Sequence, residues 1–171
     1  PLSEKKRLLD EYNEILWSQP NIQTSILGYG DAYKKVTFAS SEGSYIEQSK
    51  VDATFRASAV ARKEGDVQQA GFSIGRLGDF EFLEHLHDAV RETAQRAVDM
   101  LSAPVVQGGE YTVVLDPILA GVFCHEAFGH LSESDFVYEN PQMKEIMVLG
   151  RRFGQPLLNI VDGAAIPGLR G

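Results

Sequence analysis

The sequence predicts an α+β fold, an antiparallel β-meander packed with long helices and followed by a strand and a kinked helix. Three observations carry this expectation. Apolar residues recur at helical steps in two stretches, residues 3–18 and 80–102. Residues 51–62 alternate between apolar and polar with the period of a half-buried strand. Short runs bounded by turn residues fill the interval 22–77, the pattern of successive antiparallel strands.

In the first helix Leu8, Leu9, Tyr12, Ile15 and Leu16 form the apolar stripe, with Ser3 expected as N-cap and Pro20-Asn21 as the stop. The expected strands are 22–29, 35–39, 43–48, 51–62 and 67–74. In 51–62, Val51, Ala53, Phe55, Ala57, Ala59 and Ala61 alternate with polar neighbours, and Val60 is the exception. Lys63-Glu64-Gly65-Asp66 reads as a hairpin turn, and Glu42-Gly43 and Gly28-Tyr29-Gly30-Asp31 read as further turns. Residues 80–102 are expected to form the longest helix, through Leu83, Leu86, Val90, Ala94, Ala97, Val98 and Leu101. His85 and His87 stand two apart on it. They read as surface or boundary histidines, because a helical metal pair needs three- or four-residue steps. A linker containing Pro104 and Gly108-Gly109 precedes a short buried strand, Glu110 to Leu115. Asp116 and Pro117 then open a helix as N-cap and first residue. The expected domains are 1–103 and 104–171.

Composition bounds the function classes. Of 171 residues, 43% are hydrophobic and 23% charged, as in an ordinary globular chain. Lys and Arg number 16 against 24 Asp and Glu, a net charge of -8. Neutralising phosphates needs a basic face, so nucleic acid is not an expected partner. No apolar run reaches the length of a membrane span, and the first residues do not read as a signal peptide. The lone cysteine, Cys124, excludes an intrachain disulfide and agrees with a reducing, cytoplasmic compartment. It reads as a small buried apolar side chain.

The constellation that carries chemistry is His125-Glu126-Ala127-Phe128-Gly129-His130. Imidazoles bind zinc, and a neighbouring carboxylate can move a proton for metal-assisted hydrolysis. The spacing differs from the HExxH pattern, whose histidines lie roughly 40° apart on a helix of 3.6 residues per turn. At i and i+5 they would lie roughly 140° apart on a regular helix, too far to share one ion. A shared metal therefore demands a π-type turn or kink, and Gly129 is expected to supply the backbone freedom for it. The alternative is two partly buried histidines with ordinary hydrogen bonds. After the motif, Ser132-Glu133-Ser134-Asp135 offers two carboxylates. Either one can orient a ligand histidine, or both belong to a solvated loop. Arg151-Arg152-Phe153-Gly154 and residues 163–171 read as loops bordering a substrate cleft.

The stretches Val113-Val114-Leu115, His125 to Asp135 and Val161 to Gly171 resemble the TldD/PmbA family, described as modulators of DNA gyrase and regarded as zinc metalloproteases. Ser41-Glu42-Gly43, Gly71 and Phe80-Glu81-Phe82 stand in family-like order, so the resemblance covers most of the chain. It implies that His125 and His130 are zinc ligands and that Glu126 is the catalytic acid/base. It also implies a third ligand, a cysteine, outside this chain, and Cys124 is not that residue. Family members are longer at both ends, so the chain reads as a fragment: residues 1–103 as the α+β part of the N-terminal TldD-like domain, 104–171 as the start of the catalytic region. The resemblance implies peptide or unfolded substrates, and a homodimer or a heterodimer with a PmbA-like subunit. A different expectation is a non-catalytic assembly or dimerisation module of such a complex.

Overall fold

The first helix, α1, spans Leu2–Trp17 and places Leu8, Tyr12 and Leu16, four residues apart, on one buried stripe. Ser3 lies inside α1, and Pro1 precedes it without a side-chain cap. The computed structural model describes residues 1–163 and 166–167. Residues 1–106 belong to one compact unit and residues 107–163 form a second.

In the first unit three strands follow α1: β1 (Ile22–Ala39), β2 (Tyr45–Lys63) and β3 (Asp66–Leu77). They pair antiparallel in the order β1-β2-β3, the expected meander. The strands are fewer and longer than expected. Gly28-Tyr29-Gly30-Asp31 is not a turn, because it pairs without a break with Arg56, Phe55, Thr54 and Ala53. Gly28 serves close approach instead. A Cβ there would meet Arg56 Nε at 2.8 Å, so the guanidinium stem lies across the gap that the missing side chain leaves. The β2–β3 connection is the expected hairpin. Glu64 and Gly65 both have positive φ, 52° and 95°, the signature of a type I′ turn whose twist matches the strands.

The alternation in β2 decides which face is buried. Ala53, Phe55, Ala57, Ala59 and Ala61 are at most 2% exposed. Their row of mostly methyl-sized side chains lets the helices pack close to the sheet. Opposite them lie Leu8, Tyr12 and Leu16 with Val90, Ala94 and Ala97 of helix α2 (His87–Met100). Beyond Asp52 the third strand ends. Residues 32–39 and 45–51 continue as a two-stranded ribbon that leaves Tyr33, Phe38 and Tyr45 exposed.

The expected helix over 80–102 is divided, and among the described residues α1 is the longest helix. Phe80–His85 is a 3-10 helix capped by Asp79, Leu86 departs from helical geometry, and α2 begins at His87. The Tyr12 hydroxyl holds this junction. It donates to the Leu83 carbonyl and accepts from the Leu86 N–H at 3.2 Å. His85 and His87 thus belong to different elements. His87 Nε2 lies 2.8 Å from Glu11 Oε1, and its ring meets Tyr12 edge-on.

The second unit is helical and irregular. Residues 107–116 are not a strand. Val113 and Val114 are exposed, and among the described residues no partner strand supplies the ladder that would satisfy this backbone. Helix α3 (Pro117–Cys124) follows, then the segment of the motif, then α4 (Ser134–Glu139) and α5 (Pro141–Ile146). Among the described residues no helix is long and apolar enough to cross a membrane.

Candidate metal centre

The site is built on α3 and the two turns that continue it. Asp116 starts α3 as expected: its carboxylate accepts from the Leu119 N–H at 2.7 Å, and Pro117 occupies the first turn. Cys124 ends α3 and is half-buried.

His125–Gly129 is a π-helical turn, and the His130 N–H reaches back five residues to the His125 carbonyl. This is the distortion the i and i+5 spacing demands. Hydrogen bonding to the fifth residue widens the turn, so side chain i+5 comes round beside side chain i. The His125 and His130 rings stand 4.4 Å apart between centroids, at 67°. Ligand atoms of His125, Glu126 and His130 all lie within 4.8 Å of one another. The expected role of Gly129 is corrected. Its φ of -55° and ψ of -55° are ordinary helical values open to any residue. A Cβ there would make only van der Waals contact with the His125 ring, 3.7 Å from Nδ1.

The three side chains are exposed. Glu126 Oε2 lies 3.8 Å from His130 Nε2. On the other side of that ring, His130 Nδ1 lies 2.7 Å from Glu133 Oε1. Of the two carboxylates after the motif, Glu133 is therefore the one at the histidine, while Asp135 accepts from the Phe136 N–H beside it at 2.9 Å. Two imidazoles and a carboxylate converging from one turn are a donor set that suits a divalent transition metal.

The edge-on pair Phe128–Phe153, with centroids 5.3 Å apart, ties the π turn to the segment after α5. Arg152, Phe153 and Gly154 line a cavity of about 490 Å³ with Phe123, Ala127 and Phe128. His125, Glu126 and His130 are not among its lining residues. Of the expected loop 163–171, residues 164–165 and 168–171 lie outside the described residues.

A helix opened for two histidines and a carboxylate defines a candidate metallohydrolase centre, and comparison with known proteins narrows the class. Residues 1–101 match the model of the PmbA/TldA metallopeptidase central domain, and residues 108–171 match that of its C-terminal domain. The chain is 48% identical over 171 residues to a metalloprotease of Synechocystis sp., covering 99% of this chain and 37% of the relative. It is 33% identical to a metalloprotease of Methanocaldococcus jannaschii, again over 99% of this chain and 37% of the relative. It is 30% identical over 145 residues to a zinc metalloprotease TldD homolog of Saccharolobus solfataricus, covering 84% of this chain and 32% of the relative. The chain belongs to the PmbA/TldD family of metallopeptidases. It spans about a third of the length of these relatives, between 32% and 37%.

Proposed function

We propose that the full-length protein is a zinc-dependent peptidase acting on peptides or unfolded segments, with His125 and His130 as metal ligands and Glu126 as the acid/base. The observation that carries this reading is the π turn, which gathers the three side chains within 4.8 Å. Zinc is favoured over harder cations because the donors are imidazoles, and one relative is named a zinc metalloprotease. Catalytic zinc sites keep three protein ligands and one open position. His125 and His130 are two of them, and the third comes from outside this chain.

When bound, zinc supplies Lewis acidity toward a peptide carbonyl and lowers the pKa of water toward neutrality. Glu126 does the proton work. Its exposed carboxylate accepts a proton from the attacking water and returns it to the departing amine. Its place on the same turn as the histidines keeps it beside that water without a separate positioning loop. The proposed setting is the cytoplasm, in keeping with a lone cysteine. The proposed assembly is a homodimer or a heterodimer with a PmbA-like subunit, this chain belonging to the catalytic side because it keeps the histidines.

The test is cleavage of an unfolded protein substrate by the zinc-loaded full-length protein and by Glu126→Gln. The variant should keep its zinc and lose about 10²- to 10⁴-fold in rate, the usual worth of a general acid/base. Undiminished cleavage by Glu126→Gln would remove Glu126 from the mechanism, and loss of zinc would make it a ligand instead.

A second reading concerns the first unit. The ribbon beyond β3 exposes Tyr33, Phe38 and Tyr45 on a two-stranded hairpin, a structure that is marginal in water on its own. That supports an assembly or dimerisation role for residues 1–106, beside catalysis or in place of it.

A further inference from the structure

The π turn ends at Gly129, and a tighter turn follows before α geometry resumes at Ser134. Residues His130–Ser132 form a 3-10 turn, with Glu133 closing it and donating its N–H to the His130 carbonyl at 3.4 Å. In a 3-10 helix residues three apart eclipse one another. The Glu133 carboxylate is thereby brought beside the His130 ring, 2.7 Å from Nδ1. The Ser132 hydroxyl fixes the same turn by donating to the Gly129 carbonyl at 2.9 Å. The two departures from α geometry thus do separate work. The wide turn brings His130 beside His125, and the tight turn brings Glu133 to the far side of His130.

A carboxylate only accepts hydrogen bonds. A neutral imidazole carries a proton on one nitrogen and a lone pair on the other. With Glu133 at Nδ1, the proton belongs on Nδ1 and the lone pair on Nε2. Nε2 is the atom on the side of Glu126, 3.8 Å from its carboxylate, where the cluster converges. Glu133 itself is not part of that cluster. We infer that Glu133 is a positioning residue for the metal centre: it holds His130 in the Nδ1–H tautomer and aims Nε2 at the metal. This rests on the reading of His125 and His130 as zinc ligands. Asp135 has no such part, since its carboxylate meets the Phe136 N–H and it is Glu133 that stands at Nδ1 of His130.

The test uses the full-length protein. Zinc affinity is measured by competition with a chromophoric chelator for wild type, Glu133→Ala, Glu133→Gln, Asp135→Asn and His130→Ala. The His130 tautomer is read in the metal-free forms by nitrogen NMR with labelled histidine. Glu133→Ala should weaken zinc binding about 10- to 100-fold, the usual worth of an outer partner of a ligand histidine, and should release His130 from the Nδ1–H tautomer. Glu133→Gln keeps an amide oxygen that can accept from Nδ1, so it should lose less and keep the tautomer. Asp135→Asn should match wild type. The inference is overturned if Glu133→Ala binds zinc like wild type while His130→Ala does not, in which case the ligand assignment stands without it. It is equally overturned if affinity falls with the tautomer unchanged. Wild-type affinity in His130→Ala would overturn the ligand assignment and this inference together.

Discussion

Removing the N-cap of the site helix should loosen the centre without touching any of its side chains. Helix α3 has eight residues, none of them buried, so little packing holds it within this unit. Its start depends on the Asp116 carboxylate, 2.7 Å from the Leu119 N–H, and on Pro117. Asp116→Ala removes that acceptor and leaves Pro117 in place. The loss of such a cap costs about 0.5–2 kcal/mol, equivalent to a factor of about 2 to 30 in an equilibrium constant. Amide exchange of residues 119–124 in metal-free full-length protein should accelerate by that factor. Zinc affinity should fall by no more than the same factor, because the cost reaches the metal only through the population of opened helix. Asp116→Asn keeps a side-chain oxygen and should stay near wild type, since Asn caps as well as Asp. Exchange unchanged in Asp116→Ala would show that the cap does not hold α3. Exchange accelerated as much in Asn as in Ala would assign the effect to charge, not to the cap.

Two predictions concern the first unit. Tyr12→Phe should cost about 1 kcal/mol in denaturant unfolding, the worth of one hydrogen bond. The cost is no larger because the Leu86 N–H and Leu83 carbonyl still hold each other at 3.3 Å. A loss above about 3 kcal/mol would mean that the phenol does more than join these elements. Asp31 is held below its ordinary value of 3.8 by the hydrogen bond from the Lys5 ammonium at 2.6 Å. Because the folded value is the lower one, the pair's contribution is present above the unfolded value and lost as pH falls through the folded one. The melting-temperature advantage of wild type over Asp31→Asn should therefore be present near neutral pH and vanish in strong acid, with an advantage independent of pH as the contrary result.

Much of this molecule is legible in its sequence where local pattern and tertiary packing agree. Leu8, Tyr12 and Leu16, the alanine alternation of β2 and the Glu64-Gly65 turn follow from period and turn chemistry. The demand for an opened helix also follows from spacing, since His125 and His130 cannot meet on a regular one. The misread elements are those decided from a distance. Gly28 and Gly30 look like turn residues in one dimension, but Gly28 makes room for Arg56 on the neighbouring strand. The stretch before α2 has an unbroken helical stripe, yet the Tyr12 hydroxyl, 74 residues away in sequence, takes the Leu86 N–H at its break. Glu110 to Leu115 has strand composition, but a strand needs a partner. At the site, which of Glu133 and Asp135 reaches His130 turned on whether the helix tightens after Gly129, a choice that residue types do not make.

If His125 and His130 hold a metal, the zinc content of the protein depends on them. Full-length protein purified without chelators should contain about one zinc per chain, as expected for a mononuclear catalytic site. The double variant His125→Ala/His130→Ala, still folded by circular dichroism, should contain almost none. Equal zinc in both proteins would place the metal elsewhere and leave the π turn without one.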